Sequence, residues 1–252
     1  MDNREIYNTI YSSDQLRLPT GTPYDEQMVA LRLSLVERYG TGKDVLDLCC
    51  GSGSYLIPMI DRLRSAIGVD FSRNMLTAFA RRLAEHPAAR VMLVEGDASA
   101  LPLRSSCVDF AFSYTSLYYV PHVELAIGEV ARVLRHGGHA ALELGNRWSL
   151  NTLVARAQHR ALGWAKQHLV SYAALVRYLA ASGLAIVEWR AFQLLPMYGA
   201  PRSLRWLYPI LSERWKHLLG TEVGGRMLDE WLSRSWPLRY FCFRHLFVVT
   251  RT

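Results

Sequence analysis

The chain has 252 residues, half of them hydrophobic, with a formal net charge of +7 and four cysteines. That is enough apolar material for one domain with a sizeable core, which excludes a disordered chain. Cys49, Cys50, Cys107 and Cys242 form no Cys-x-x-Cys pair, and no apolar run nears the roughly 20 residues of a membrane span. A disulfide framework, a metal centre and a transmembrane helix are therefore not expected. The polar start Met1-Asp2-Asn3-Arg4-Glu5 opens no signal peptide, and a cytoplasmic protein with reduced thiols is expected.

In chain order, residues 1–23 are polar and irregular, and residues 24–39 place Met28, Leu31, Leu35 and Val36 at helical spacing before Gly40. Together they read as an N-terminal helical cap over 1–40. Residues 45–48 form a short apolar strand, followed by a glycine turn and a helix over 55–63 that contains Pro58. Strands follow at 66–69, 91–94 and 108–113. Ser72 caps a helix running to about Glu85, and a helix over 123–134 is closed by Gly137-Gly138. A fifth strand covers 139–144. Helices over 150–165 and 172–181 precede a sixth strand at 185–192 and a helical insertion over 193–237. Residues 241–250 make a last strand, expected to pair antiparallel. This alternation predicts a single α/β domain, a Rossmann-like seven-stranded mostly parallel sheet with helices on both faces.

Ligands of such sheets bind beyond the carboxyl ends of the strands. Gly51 and Gly53 open the turn after the first strand, where glycine lets backbone approach a ligand closely. Asp70 closes the second strand 19 residues after Gly51, where a carboxylate can accept both hydroxyls of a ribose. Asp97 follows the third strand, placed to accept from an adenine amino group. Asp47 lies beside the turn and would face a positively charged part of a ligand. Three successive strand ends thus offer carboxylates and none offers Lys or Arg. A dinucleotide pyrophosphate site would need a third glycine, and Leu56 stands there. No Gly-Lys-Ser/Thr follows, so the turn is no P-loop.

These segments resemble the class I S-adenosylmethionine-dependent methyltransferases of the small-molecule type, over about residues 24–146. Val45-Leu46-Asp47-Leu48-Cys49-Cys50-Gly51-Ser52-Gly53 matches the first motif, and Gly68-Val69-Asp70-Phe71-Ser72 with Met75 the second. Glu95-Gly96-Asp97-Ala98 before Leu101-Pro102 matches the third. Asp109-Phe110-Ala111-Phe112-Ser113 and the run from Val130 to Gly138 match the fourth and fifth. The resemblance implies S-adenosylmethionine as cofactor. It implies Asp70 on the ribose, Asp97 on the adenine amino group, and Phe71, Met75 and Ala98 packing around it. Asp47, Gly51, Gly53 and Ser113, by their places at the strand ends and the first turn, complete the expected cofactor side. Cys49 departs from the glycine usual in the family.

A hydroxyl acceptor benefits from a general base. His122, ending the loop after the fourth strand, is the first candidate, and Tyr118 and Tyr119 are candidates to wall the pocket. His245 is a weaker candidate, and His136 and His139 fall on the far side. No Asn/Asp-Pro-Pro-Tyr or Pro-Cys follows the fourth strand, which argues against a DNA substrate.

Residues 1–146 carry 14 lysines and arginines against 17 acids, and residues 147–252 carry 15 against 5. All seven tryptophans lie between Trp148 and Trp236. Within 193–237, Trp206, Trp215, Trp231 and Trp236 stand among Arg202, Arg205, Arg214, Arg226 and Arg234, marking a substrate lobe. Such a lobe can stack on rings and pair with anions, rest on a lipid surface, or form a satellite core. The reading favoured is methyl transfer to oxygen of a small molecule or saccharide. Methylation at nitrogen or carbon of a lipid-like or aromatic substrate stays open, as does a catalytically silent nucleoside-binding module.

Overall fold

The computed structural model describes residues 3–9, 18, 21–163, 165–197 and 214–252. Its centre is a seven-stranded sheet. The strands are β1 (Asp44–Leu48), β2 (Ser65–Asp70), β3 (Val91–Glu95), β4 (Val108–Ser113), β5 (Leu134–Gly145), β6 (Leu184–Phe192) and β9 (Arg244–Arg251), in the order β3-β2-β1-β4-β5-β9-β6. β1 to β5 pair in parallel, with Leu48 opposite Val69, and β9 runs antiparallel to both β5 and β6. The chain winds outward in one direction from β1 to β3 and in the other from β4. The crevice of such a sheet opens at that reversal.

Both faces of the central strands are covered, so alternate residues serve two cores. On one face, Leu46, Ala111, Ala140 and Phe247 pack with α4 (Val123–Val133) and α6 (Tyr172–Ala181) through Ile127, Val130, Leu175 and Leu179. On the other, their neighbours Val45, Phe110, Ala141 and Leu246 pack with α2 (Pro23–Gly40) and α3 (Arg73–Leu83) through Met28, Val36, Leu76 and Phe79. Ser72 caps α3 by accepting from the Met75 amide. Helix α1 (Asn3–Thr9) precedes α2, and α5 (Leu150–Leu162) follows β5.

A charged seam joins the beginnings of four strands. Asp44 of β1 accepts from Arg64 at 2.8 Å, and Asp109 of β4 accepts from Arg64 at 2.8 Å and from Arg135 of β5 at 2.6 Å. Deep in the second core, Arg32 of α2 is ion-paired with Glu143 of β5 at 2.7 Å, and Arg244 of β9 pairs with the same carboxylate.

Three local expectations are corrected. The helix expected over 55–63 is a 3-10 turn over Ile57–Arg62, since Pro58 offers no amide for an α-helical ladder. Helix α4 is not closed by Gly137-Gly138. It ends at Val133, and Leu134 begins β5 at once, with both glycines inside the strand. A Cβ on Gly138 would lie 2.9 Å from the Asp109 carbonyl oxygen. The insertion is not purely helical: between α7 (Trp215–Leu219) and α8 (Leu228–Arg234) stands a two-stranded ribbon, β7 (Glu222–Val223) with β8 (Arg226–Met227). Gly224 and Gly225 turn it with positive φ. Residues 198–213 of that insertion lie outside the described residues. No described helix is long and apolar enough to cross a membrane.

Candidate functional site

A cavity of about 680 Å³ opens beyond the carboxyl ends of β1, β2 and β4. Asp47, Gly51, Asp70, Phe71, Met75, Asp97 and Ala98 line it. Asp70 is positioned by the turns on both sides: its two carboxylate oxygens accept from the Gly51 and Ser72 amides, each at 2.9 Å. Burial pushes its pKa up, and those amides pull the other way. A carboxylate has about four lone-pair sites, so acceptor capacity is left for a ligand. Asp47 is only 4% exposed, and no described residue donates to it. Burial, reinforced by the neighbouring Asp70, raises its pKa well above the ordinary value. A cation brought into the cavity would reverse that penalty. Asp97 accepts from the Ser99 amide at 2.7 Å and is exposed at the rim.

The turn after β1 carries three positive φ values, +60° at Cys49, +52° at Gly51 and +76° at Gly53. Cys49 lines the cavity in a conformation that favours glycine. Its thiol is held protonated, first by burial and then by Asp70 and Asp47. Gly53 is not among the lining residues. A Cβ there would sit 2.3 Å from the Phe79 ring, so this glycine admits α3 against the turn. Ser113 also stands behind the lining. Its hydroxyl donates to the Leu48 carbonyl at 2.7 Å and ties the end of β4 to the end of β1.

His122 does not join the site. Its side chain is 68% exposed at the start of α4, with Nδ1 3.4 Å from Glu124, while the preceding Val120 and Pro121 line the cavity. His245 is buried in β9, where its Nδ1 accepts from the Trp189 indole at 3.0 Å. Burial lowers its pKa to about 3, so it is neutral near pH 7. His139 stacks on Tyr39 at 5.0 Å and pairs with Phe110 within the sheet, outside the cavity lining.

The remaining wall is aromatic: Tyr7, Tyr55, Tyr114, Tyr118 and Tyr119. Tyr55 accepts from Arg32 at 2.8 Å and meets Tyr114 edge to face at 5.1 Å. The Tyr114 hydroxyl donates to the Arg32 carbonyl at 3.2 Å. Arg244 lies 5.6 Å from the centre of the Tyr118 ring. The buried Arg32–Glu143–Arg244 cluster therefore backs three of the five tyrosines. Helix α1 is pinned over the same space, where Asn3 donates to the Tyr119 and Lys166 carbonyls, each at 2.9 Å. Tyr7, Tyr55, Tyr114 and Arg32 were not singled out by sequence. Arg32 is four residues from Met28 and from Val36, so a cation stands inside the apolar stripe of its helix, and Glu143 supplies its counter-charge there.

Within the expected lobe, Arg202, Arg205 and Trp206 lie outside the described residues. Trp215 opens α7, Arg226 pairs with Glu230 at 3.4 Å, and Arg234 lies 5.7 Å from the Trp231 ring. Among the described residues no cluster of His, Cys, Asp or Glu could hold a metal ion.

Residues 45–138 match the family model of a methyltransferase domain. A demethylmenaquinone methyltransferase of Lactococcus lactis is 31% identical over 140 residues, 54% of this chain and 55% of its own length. One from Shouchella clausii is 33% identical over 100 residues, covering 38% and 43%. The chain thus spans about half the length of the curated relatives it matches. Magnesium protoporphyrin IX methyltransferase of Synechocystis, solved with bound SAH, superposes with a TM-score of 0.63 at 14% identity, over 99% of this chain and 98% of its own. At that identity the likeness is one of fold.

Proposed function

We propose, for a chain that belongs to the class I S-adenosylmethionine-dependent methyltransferases, methyl transfer to a ring carbon of a flat, quinol-like aromatic acceptor. The observation that carries this reading is one cavity in which strand-end carboxylates face a wall of tyrosines.

S-adenosylmethionine supplies an electrophilic methyl group on a positively charged sulfur. The residues present fit it. Asp70 has acceptor capacity for a ribose diol, Asp97 stands at the rim for the adenine amino group, and Phe71, Met75 and Ala98 offer apolar packing. Asp47 answers the positive charge of the amino-acid portion. Ser113 and Gly53 keep the supporting turns in place from behind the cavity.

Flat phenol rings bind a flat acceptor through face and edge contacts. Burial raises the Tyr55 pKa, and the guanidinium it accepts from works against that rise and strengthens its own proton as a donor. We assign it to the acceptor's ring oxygen. A carbon beside an ionised ring hydroxyl is nucleophilic by the acceptor's own chemistry. The hydroxyl proton is given up to solvent before binding. The S–CH3 bond breaks as the C–CH3 bond forms, S-adenosylhomocysteine leaves, and the displaced ring C–H proton restores the hydroxyl. Alignment and exclusion of water are therefore the enzyme's main tasks. Orientation of that kind contributes up to roughly 7–11 kcal/mol. Among the described lining residues the only carboxylates, Asp47, Asp70 and Asp97, are assigned above to the cofactor, which suits carbon better than an aliphatic hydroxyl needing a base of its own. The ring acceptor in the names of the curated relatives supports the same choice.

Oxygen methylation of a saccharide is the second reading, favoured by the exposed Trp231 with Arg234 over its ring. The test is incubation with S-adenosylmethionine labelled in its methyl group and a reduced naphthoquinone that lacks its ring methyl. The expected result is S-adenosylhomocysteine release and a product carrying the label on ring carbon. Label on oxygen would overturn the carbon assignment. Absence of S-adenosylmethionine binding by calorimetry would overturn the whole reading.

A further inference from the structure

The same edge of the sheet that holds the cavity also carries an exposed apolar rim. Gly145, the last residue of β5, pairs with Arg244, the first of β9. Trp148 lies three residues past that pair and Phe241 three residues before it. They are 61% and 52% exposed, and Trp236 is 74% exposed. Leu150 and Leu153 of α5 are about half exposed, and Leu238 also faces solvent.

One buried side chain holds the two halves of this rim together. Asn146 Oδ1 accepts from the Trp148 amide at 3.2 Å, while its Nδ2 donates to the Tyr240 carbonyl at 2.7 Å and the Cys242 carbonyl at 3.1 Å. Phe241 stands between those two carbonyls. The exposure of Trp148 and Phe241 is thus set by a fully buried polar group and not by a loose loop.

Cations accompany the rim. Arg147 lies 5.5 Å from the Trp148 ring centre. Arg156 and Arg160 follow Leu153 at helical spacing on α5 and, like Arg147, are exposed. No described acid pairs with any of the three. Of the five acids in 147–252, Asp229 and Glu230 are buried and Glu188 is ion-paired with Arg190. A second copy meeting this face with the same face would bring like cations together and be repelled. Exposed tryptophan and phenylalanine flanked by arginines that no described acid pairs complement an anionic lipid surface.

We propose that this rim docks the protein on an anionic membrane surface, with the cavity edge turned toward the lipid. The docking is independent of which atom receives the methyl group. It places the cavity mouth where an acceptor with a lipid-held apolar body can reach it.

The test is flotation of the whole chain with vesicles of phosphatidylcholine alone and of phosphatidylcholine mixed with phosphatidylglycerol. The protein should float with the mixed vesicles and be released by salt. A charge near an anionic surface contributes about fivefold in partition, so R156Q with R160Q should weaken flotation about thirtyfold. Both arginines are exposed, so this variant keeps the fold. W148S with F241S should weaken flotation with the mixed vesicles while leaving S-adenosylhomocysteine binding, read by calorimetry, in place. No flotation of the unaltered chain, equal flotation of the variants, or a dimer by light scattering that W148S with F241S dissociates would overturn the proposal. Loss of methyl transfer with flotation intact would bear on the acceptor alone.

Discussion

Arg32 Nε donates to Glu143 Oε2 at 2.9 Å, joining α2 to β5 across 111 residues inside the core. Burial alone would raise the pKa of Glu143, but Arg32 and Arg244 outweigh it and hold the carboxyl below its ordinary value. Glu143→Gln would leave two buried cations without a counter-charge. Breaking a buried pair from one side costs about 3–5 kcal/mol. The urea midpoint should fall accordingly, with the slope unchanged. Because the folded pKa is depressed, this contribution is full above about pH 4.5, and it is lost as the pH falls through the lowered value.

Asp70→Asn tests the donor site. A carboxamide keeps the size but cannot accept at both ends, so either an amide of the turn or the ribose loses a partner. Hydrogen bonds to a charged group contribute about 1.5–3 kcal/mol. Calorimetry with S-adenosylhomocysteine should show affinity weakened about tenfold or more. Unchanged affinity would mean that the nucleoside does not lie at the end of β2.

Cys49→Gly should stabilise the protein. The left-handed conformation costs a residue with a Cβ about 1–2 kcal/mol, part of which is offset by the greater freedom of glycine in the unfolded chain. The expected net gain is up to about 1 kcal/mol, or about 2–4 °C in melting temperature for a chain of this size. A lower melting temperature would show that packing of the Cys49 thiol outweighs the backbone strain.

Asp229 of α8 accepts from the Gln193 and Leu194 amides at 2.5 and 3.2 Å and from the Tyr24 hydroxyl at 3.3 Å. Burial raises its pKa to about 6, against the pull of those amides. A raised folded pKa contributes stability that is present below the unfolded value, about 3.9, and lost as the pH rises through about 6. Two units correspond to about 3 kcal/mol. Denaturation curves between pH 4 and 7 should therefore flatten in Asp229→Asn. An identical pH profile in the variant would exclude this group.

The sheet was legible because each of its central strands is apolar on both faces and is punctuated by Gly, Asp or Ser at the carboxyl end. Asp47, Asp70 and Asp97 could be placed on the cavity for that reason: position at a strand end is a local property. His122 stands outside the cavity, because adjacency to the loop after β4 does not say which way the chain turns. Pro121 faces the cavity, and His122 passes to the outside at the start of α4. The tyrosine wall was only half visible. Tyr118 and Tyr119 sit in an informative loop. Tyr7 and Tyr55 acquire meaning only through contacts with Phe71, Tyr119 and Arg32, which lie far away in sequence. Gly137 and Gly138 looked like a stop signal, yet the close approach of the Asp109 and Arg135 carbonyls is what requires Gly138.

The seam of Asp44, Arg64, Asp109 and Arg135 ties β1, β2, β4 and β5 at the ends of the strands away from the cavity. Its charges are partly solvent-facing, so dissolved ions reach them. Raising the ionic strength therefore slackens one margin of the sheet and leaves the amide contacts of Asp70 at the other untouched. Backbone deuterium uptake should follow the same division, quickening with salt at Asp44 and Ser65 while Gly51 and Ser72 keep their protection. The fold thus separates the place where it can breathe from the place where it must hold still.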